Sequence, residues 1–247
     1  MAAMAPTAGF TATHHALLFA YMSRSVLERA GEERGSEIVR AAVRTYGQQR
    51  GRRMARRAKA NGHPLDMLGF LVNGELRVGP GETEQAVLAS APDLVTRVQR
   101  CPWNTAWREH GVLEAGRLYC QEIDAALIRG FNPGLQITVG KTQSNEGEPC
   151  EFIFHGARLS GLNKLRYLAG KSIWPGTRAR LPWEYHAGNL CKTATEAISQ
   201  ALGAAASQAV QQAALEEFAA RFGAPAAQIV RSYEATDFDA VPRRLTA

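Results

Sequence analysis

Three short segments in the middle of the chain alternate apolar and polar residues, and they constrain the fold more than any other feature. They are LVTRVQRC at 94–101, LQITV at 135–139 and PCEFIFH at 149–155. Alternation over about four to eight residues is typical of a half-buried strand. The last two segments are joined by a polar turn at 144–148. Because strands with short connections usually pair with each other, we predict one small antiparallel sheet.

Segments with helical periodicity lie on both sides of this sheet. We predict a helix over 15–30, and a second that begins at the capping residue Ser36 and ends near Ala60. A long helix over 113–129, which Gly130 and Pro133 terminate, should pack on the sheet. Two or three more helices are expected, at about 183–202, 205–222 and 225–234. We also expect a hairpin over 70–78 turning at Asn73-Gly74, and a loop over 156–180.

The fold expected from this order is α+β: a small antiparallel sheet with a long helix on it, flanked by N-terminal and C-terminal helices. The 247 residues are treated as one domain. Its three parts are N-terminal helices at 1–62, a sheet core at 63–160 and C-terminal helices at 181–235.

The composition excludes several classes of protein. No apolar run approaches the roughly 20 residues of a membrane helix, and no secretion signal is recognisable. We therefore expect a cytoplasmic protein with reduced thiols and no membrane partner. The basic run at 50–59 accounts for much of the net charge of +6. It fits a phosphate-binding patch or the solvated end of a helix; the second is favoured, and no nucleic-acid partner is expected.

A thiol and a carboxylate lie one helical turn apart in LYCQEIDAAL at 118–127. On the predicted helix 113–129, Cys120 and Asp124 share one face with Ile123 and Leu127. A carboxylate on an apolar face has to be hydrogen-bonded, paired or functional. Either the two groups line a cavity and act together, or Cys120 is a small core residue and Asp124 caps a neighbouring loop.

Two further cysteines belong to the predicted strands. Cys150 lies on the same face of its strand as Phe152 and Phe154, and Cys101 ends the first strand. A metal held by Cys101, Cys120 and Cys150 stays open as an alternative. We predict no metal and no cofactor, because the chain lacks the close CxxC pairs of zinc sites.

Two other groups of residues, at 44–51 and 183–186, are candidates for binding or catalysis. Gly47 and Gly51 would each cost a helix about 1 kcal/mol relative to alanine. Either a tight helix crossing or a ligand would explain them, and the flanking Arg44 and Arg50 could bind a carboxylate. His186 opens a C-terminal helix beside Trp183, Glu184 and Tyr185, where the helix dipole should lower its pKa.

Taken in order, these segments resemble the L-2-amino-thiazoline-4-carboxylate hydrolase family. The matching blocks span about 15–235 and are Arg44-x-Tyr46-Gly47-x-x-Arg50-Gly51, Cys101-Pro102, Tyr119-Cys120-x-x-Ile123-Asp124, Glu146-Gly147-Glu148 before Cys150-x-Phe152, and Trp183-Glu184-Tyr185-His186. The middle portion also resembles four-vinyl-reductase domains, which are related in fold to TRAPP components. This resemblance implies a small-molecule pocket between helix 113–129 and the sheet.

The resemblance implies a hydrolase that opens a small cyclic amidine by adding water at the C=N carbon. We expect Cys120, Asp124 and His186 to be catalytic. We expect substrate to be bound by Arg44, Tyr46, Arg50, Trp103, Tyr119, Cys150 and Tyr185. The alternative is a non-catalytic protein that binds or senses a small molecule. The expected partner is the substrate, and a homo-oligomer stays open.

Overall fold

A computed structural model of the chain describes residues 9–173 and 179–242. These residues form ten helices and four strands. The helices are α1 Ala12–Ala30, α2 Glu32–Ala60, α3 Met67–Val72, α4 Pro102–Glu109, α5 Leu113–Cys120, α6 Ile123–Phe131, α7 Leu162–Ser172, α8 Trp183–Leu202, α9 Ala204–Phe222 and α10 Ala224–Ser232. The strands are β1 Glu84–Ala89, β2 Leu94–Arg100, β3 Ile137–Val139 and β4 Cys150–Phe154.

The four strands form one antiparallel sheet in the order β1-β2-β4-β3. The three predicted strands are therefore confirmed as members of one sheet, and the α+β fold class is confirmed with them. The register places Leu94 opposite Phe154 and Val98 opposite Cys150. The prediction missed β1. Its sequence, EQAVLA, lacks a regular alternation, since this edge strand is mostly exposed.

The largest core lies among the helices at the two ends of the chain. It is built mainly by α1, α2, α8 and α9, and its fully buried side chains include Leu17, Tyr46, Trp107 and Phe218. The three predicted C-terminal helices are confirmed to within two residues at each end. None of the described helices combines the length and apolarity that crossing a membrane requires.

Helices α2 and α6 cross at three glycines. A Cβ atom on Gly51 would lie 2.2 Å from the backbone oxygen of Leu127. One on Gly130 would lie 2.2 Å from the backbone oxygen of Gln48, and one on Gly47 would lie 2.7 Å from Ala126. Such separations are impossible for any residue with a side chain, so of the two explanations for the α2 glycines the tight helix crossing is confirmed.

Two local predictions about helix ends and turns are wrong. Helix α2 begins at Glu32, directly after Gly31, and Ser36 is buried inside it instead of capping it. The predicted hairpin at 70–78 is instead the end of α3 followed by residues without regular secondary structure. The Asp66 side chain accepts a hydrogen bond from the Gly69 backbone N–H and so caps α3, and Asn73 ends the helix by bonding the Gly69 oxygen.

Two longer predictions also need correction. The predicted loop at 156–180 contains α7, and residues 174–178 of that prediction lie outside the described residues. The predicted helix 113–129 is two helices, α5 and α6. The backbone N–H of Glu122 donates to the Tyr119 oxygen three residues back, which is turn geometry, and its carboxylate pairs with Arg44 at 2.8 Å.

Candidate active site

A cavity of about 200 Å³ lies between the α5–α6 junction and the sheet. Helix α2 contributes Arg50 to its wall, and the start of α4 contributes Pro102 and Trp103. Its described lining residues are Arg50, Leu76, Thr83, Val98, Cys101, Pro102, Trp103, Tyr119, Cys120, Ile123, Asp124, Leu127, Thr142, Cys150 and Phe152. This is the position that the resemblance implied for a small-molecule pocket.

Cys120 and Asp124 both line this cavity, although the reason given from sequence was wrong. Cys120 is the last residue of α5 and Asp124 lies in the first turn of α6. They are therefore not one turn apart on a continuous helix. Residues 121–122 form a turn between the two helices, and both side chains line the same cavity.

Asp124 has an altered proton affinity. The surrounding apolar walls raise the pKa of its carboxyl to about 6, and the positive charge of Arg50 acts in the opposite direction. A carboxyl group with this pKa is ionised at neutral pH and still basic enough to take a proton from a substrate or a water.

Arg50 reaches the cavity from a cluster of buried charges. It is 2% exposed, and Arg53 and Arg57 follow it on the same face of α2. All three guanidinium groups surround the carboxylate of Glu75. Arg53 donates two hydrogen bonds to Glu75, at 2.9 and 2.8 Å. The Arg57 Nη1 and Arg50 Nε atoms lie 3.4 and 3.5 Å from its oxygens.

This cluster corrects both interpretations of the basic run. It is neither an exposed phosphate-binding patch nor simply a solvated helix end. Arg50, Arg53 and Arg57, which are three and four residues apart, turn inward, while Arg52, Arg56 and Lys59 are exposed. The sequence pattern did not reveal Glu75, which is fully buried and has its pKa lowered by the arginines although burial acts to raise it.

The cluster contains more positive than negative charge. Three guanidinium groups share one carboxylate, and the Nε and Nη1 atoms of Arg50 have no hydrogen-bond partner among the described residues. Burial opposes the charge on Arg50, but Tyr46, Tyr119 and Glu75 keep its pKa above the ordinary value. A buried cation that lines a cavity and whose charge is only partly balanced is suited to hold an anionic group of a ligand.

Three thiols line the same cavity. Burial raises the pKa values of Cys101, Cys120 and Cys150, most strongly that of Cys120, so all three thiols are protonated at neutral pH. Across the described residues, no three or more His, Cys, Asp or Glu side chains are grouped so that they could hold a metal ion.

An aromatic network supports the wall behind Trp103. The Trp103 indole N–H donates to Nδ1 of His15 at 3.1 Å, so that nitrogen must be unprotonated. The His15 Nε2–H then donates to the hydroxyl of Tyr46 at 3.0 Å. His15 is fully buried, and burial followed by the charge of Arg50 lowers its pKa to about 3. Neutral His15 therefore fixes Trp103 and Tyr46; the sequence offered no signal for it beyond an apolar helix face.

Of the predicted site residues, Arg50, Trp103, Tyr119, Cys120, Asp124 and Cys150 line the cavity. Tyr46 lies one layer behind, with its ring 5.3 Å from the Arg50 guanidinium carbon. Arg44 is outside it, since its half-exposed side chain reaches across to Glu122 on the surface.

His186 and Tyr185 are also outside the described lining. His186 is fully buried and its Nε2 lies 3.3 Å from the Glu75 backbone oxygen. Burial, followed by the charges of Arg50 and Arg53, lowers the pKa of His186 well below its ordinary value. These causes account for the lowered pKa without the helix dipole that we expected to produce it. The Tyr185 ring lies 5.1 Å from the Arg53 guanidinium carbon. Both residues therefore contact the arginine cluster and not the cavity.

No curated protein and no solved structure matches the chain. A model of the L-2-amino-thiazoline-4-carboxylic acid hydrolase family matches residues 11–154, more than half of the chain. The matched part contains every described residue of the cavity wall, and helices α8 to α10 lie beyond it. The chain belongs to the L-2-amino-thiazoline-4-carboxylic acid hydrolase family.

Proposed function

We propose that the cavity binds a small carboxylate-bearing cyclic amidine, such as 2-amino-thiazoline-4-carboxylate, and hydrolyses a ring C–N bond. The observation that carries this proposal is that one cavity is lined both by a carboxyl group with a pKa of about 6 and by a buried arginine from a cluster with excess positive charge. A volume of about 200 Å³ suits a single five-membered ring with one substituent.

Arg50 binds the carboxylate of the substrate. The cluster around Glu75 holds the Arg50 guanidinium in place, so the side chain needs little reorganisation when an anion enters the cavity. The apolar residues of the wall exclude water and strengthen this ion pair. The aromatic rings of Trp103 and Tyr119 form further parts of the wall, against which a flat heterocycle can pack.

Asp124 moves the protons. It takes one from water while the water oxygen bonds to the C=N carbon, and it delivers that proton to the former C=N nitrogen. When the tetrahedral intermediate collapses, Asp124 takes the hydroxyl proton as the C=O bond forms. It returns this proton to the ring nitrogen as the C–N bond breaks, so one water is consumed and the carboxylate is regenerated.

Cys120 contributes to the wall in this mechanism. Because its pKa is raised well above the ordinary value, little thiolate is present at neutral pH. It could act as a nucleophile only if Asp124 removed its proton during the attack. His186 lies behind the cluster and holds the Glu75 backbone, which makes it a positioning residue instead of an acid.

A non-catalytic ligand-binding protein is the second candidate. The predominantly apolar lining and the protonated thiols favour it, because neither feature requires a reaction. The two candidates differ in whether a bound cyclic amidine is turned over or released unchanged.

The experiment measures turnover of 2-amino-thiazoline-4-carboxylate and of an analogue without the carboxylate. We expect Asp124→Asn to lower kcat by roughly a hundredfold or more with little change in substrate affinity. Arg50→Lys should raise KM by at least about tenfold, because the bidentate contact is lost. It should have little further effect on the analogue, which lacks the group that Arg50 binds.

Two exposed residues provide matched controls. Arg52→Lys makes the same change two positions along α2, where the side chain pairs with Asp239 on the surface. Glu114→Gln neutralises an exposed carboxylate on α5. Both should leave the kinetics unchanged. Stoichiometric binding without turnover in the wild-type protein would favour the second candidate, and equal activity of Asp124→Asn would refute the role of Asp124.

A further inference from the structure

The exposed large apolar side chains of this protein are concentrated on α7. Seven such side chains occur among the described residues, and four of them belong to α7 or to the residue that follows it. Leu162 is 83% exposed and Ile173 76%, and Leu165 and Leu168 lie between them. Single exposed apolar residues are ordinary, but a cluster on one short helix marks an interaction surface.

The packing of α7 accounts for one of its faces only. Gly170 is its single buried residue and lies against Val72 of α3. Arg166 fixes the helix by two hydrogen bonds to the Asp66 carboxylate, at 2.9 and 2.8 Å. With 3.6 residues per turn, the four exposed apolar side chains lie within an arc of roughly 140°, whose centre is about 130° away from the buried Gly170. The apolar face therefore has no partner among the described residues.

Positive charge is in excess around this face, although Asp66 neutralises Arg166 and Lys171 is partly buried, so that Arg158, Lys164 and Arg180 are its exposed cations. The described residues 156–173 and 179–180 include five basic side chains and no acidic one: Arg158, Lys164, Arg166, Lys171 and Arg180. On the helix, Lys164 and Lys171 follow one edge of the apolar arc and Arg166 follows the other. An apolar helix face accompanied by exposed cations is the pattern of a helix that lies in the interface of a membrane.

We propose that α7 docks on the surface of an anionic lipid bilayer, with its leucines and Ile173 entering the headgroup region and the exposed Arg158, Lys164 and Arg180 contacting lipid phosphates. The helix lies on the membrane and does not cross it. This departs from our sequence-based expectation of no membrane partner, because that expectation considered only spanning segments.

The same observations disfavour other occupants. A second copy would bring together two faces with an excess of positive charge, which like-charge repulsion opposes. The exposed face of an 11-residue helix offers a contact area much smaller than the roughly 800 Å² that each partner of a stable protein interface usually buries. A lipid surface requires no matching groove and supplies negative charge everywhere.

The experiment is sedimentation of the full chain with vesicles. We expect binding to vesicles in which about a quarter of the phosphatidylcholine is replaced by phosphatidylglycerol, and none to pure phosphatidylcholine. Raising the salt concentration should weaken binding. Leu165→Gln combined with Leu168→Gln should reduce binding at least about tenfold. Both side chains are exposed, so circular dichroism should show an unchanged fold.

A matched pair of charge variants tests whether the vesicles bind at α7. Arg158→Gln with Lys164→Gln should also reduce binding roughly tenfold or more. Arg34→Gln with Lys59→Gln removes the same charge from exposed positions on α2 and should bind like wild type. The proposal is overturned if wild type ignores the anionic vesicles, in which case the face belongs to a protein partner. It is also overturned if the two charge variants lose vesicle binding to the same extent, or if Leu165→Gln combined with Leu168→Gln binds like wild type.

Discussion

The Arg53 guanidinium donates two hydrogen bonds, 2.9 and 2.8 Å long, to the Glu75 carboxylate, and neither side chain is exposed to solvent. Among the residues that the structure describes, Glu75 is the only acidic member of the cluster, and it also pairs with Arg50 and Arg57. The cation at the cavity is thus held in place by a carboxylate outside the cavity.

We expect Glu75→Gln to destabilise the protein by about 3–5 kcal/mol. The change leaves three buried guanidinium groups without a negative partner, which costs more than the lost contacts alone. Urea unfolding followed by circular dichroism measures this. Glu151→Gln, which breaks a half-exposed pair with Arg97, should cost less than about 1 kcal/mol. Similar losses for the two variants would contradict the role given to Glu75.

Gly51→Ala should destabilise the protein by about 1–3 kcal/mol or more, although alanine is the better helix former. The new Cβ would lie 2.2 Å from the Leu127 oxygen, so α2 and α6 must separate. Since α6 carries Asp124 and Leu127 of the cavity wall, turnover should fall as well. Thermal unfolding should show a lower Tm than in Gly140→Ala, where the nearest atom would be 3.5 Å away. A higher Tm for Gly51→Ala would show that the crossing is looser than described.

The pH dependence of kcat/KM should rise with a midpoint near pH 6. The reason is that Asp124 must be ionised to accept a proton, and burial raises its pKa to about 6. If a pre-formed Cys120 thiolate were the nucleophile, activity would rise only in the alkaline range, because burial raises the pKa of that thiol. A stopped assay from pH 4.5 to 9.5 separates the two profiles.

Asp124→Asn should stabilise the protein at pH 7.5. The pKa of Asp124 rises on folding from about 3.8 to about 6, so the unfolded chain ionises first as pH increases and stability is lost over that interval. Removing the ionisable group should recover up to about 2–3 kcal/mol, since one pKa unit corresponds to about 1.4 kcal/mol and the shift is about two units. Chemical denaturation at pH 7.5 and pH 3.5 tests this: the difference between variant and wild type should largely vanish at the lower pH.

The local sequence determined the elements whose signal is periodic. Alternation in 94–101, 135–139 and 149–155 identified three strands of the sheet, and glycines with helical periodicity bounded α8, α9 and α10. Family resemblance and apolar patterning identified six residues of the cavity wall. These features depend on residues close together in the chain, so the sequence carries them directly.

Only the tertiary structure decided the break between α5 and α6 and the burial of the basic run. Residues 113–129 are good helix formers, and nothing local indicates that Glu122 turns towards Arg44. Nor does a run of arginines indicate that Glu75, in a segment predicted to be a hairpin, will lie among them. Both outcomes come from contacts between distant segments. The free energy of such contacts outweighs the local preference for a continuous helix. It also allows the arginines to be buried, because an unpaired buried charge is costly and Glu75 lies beside them.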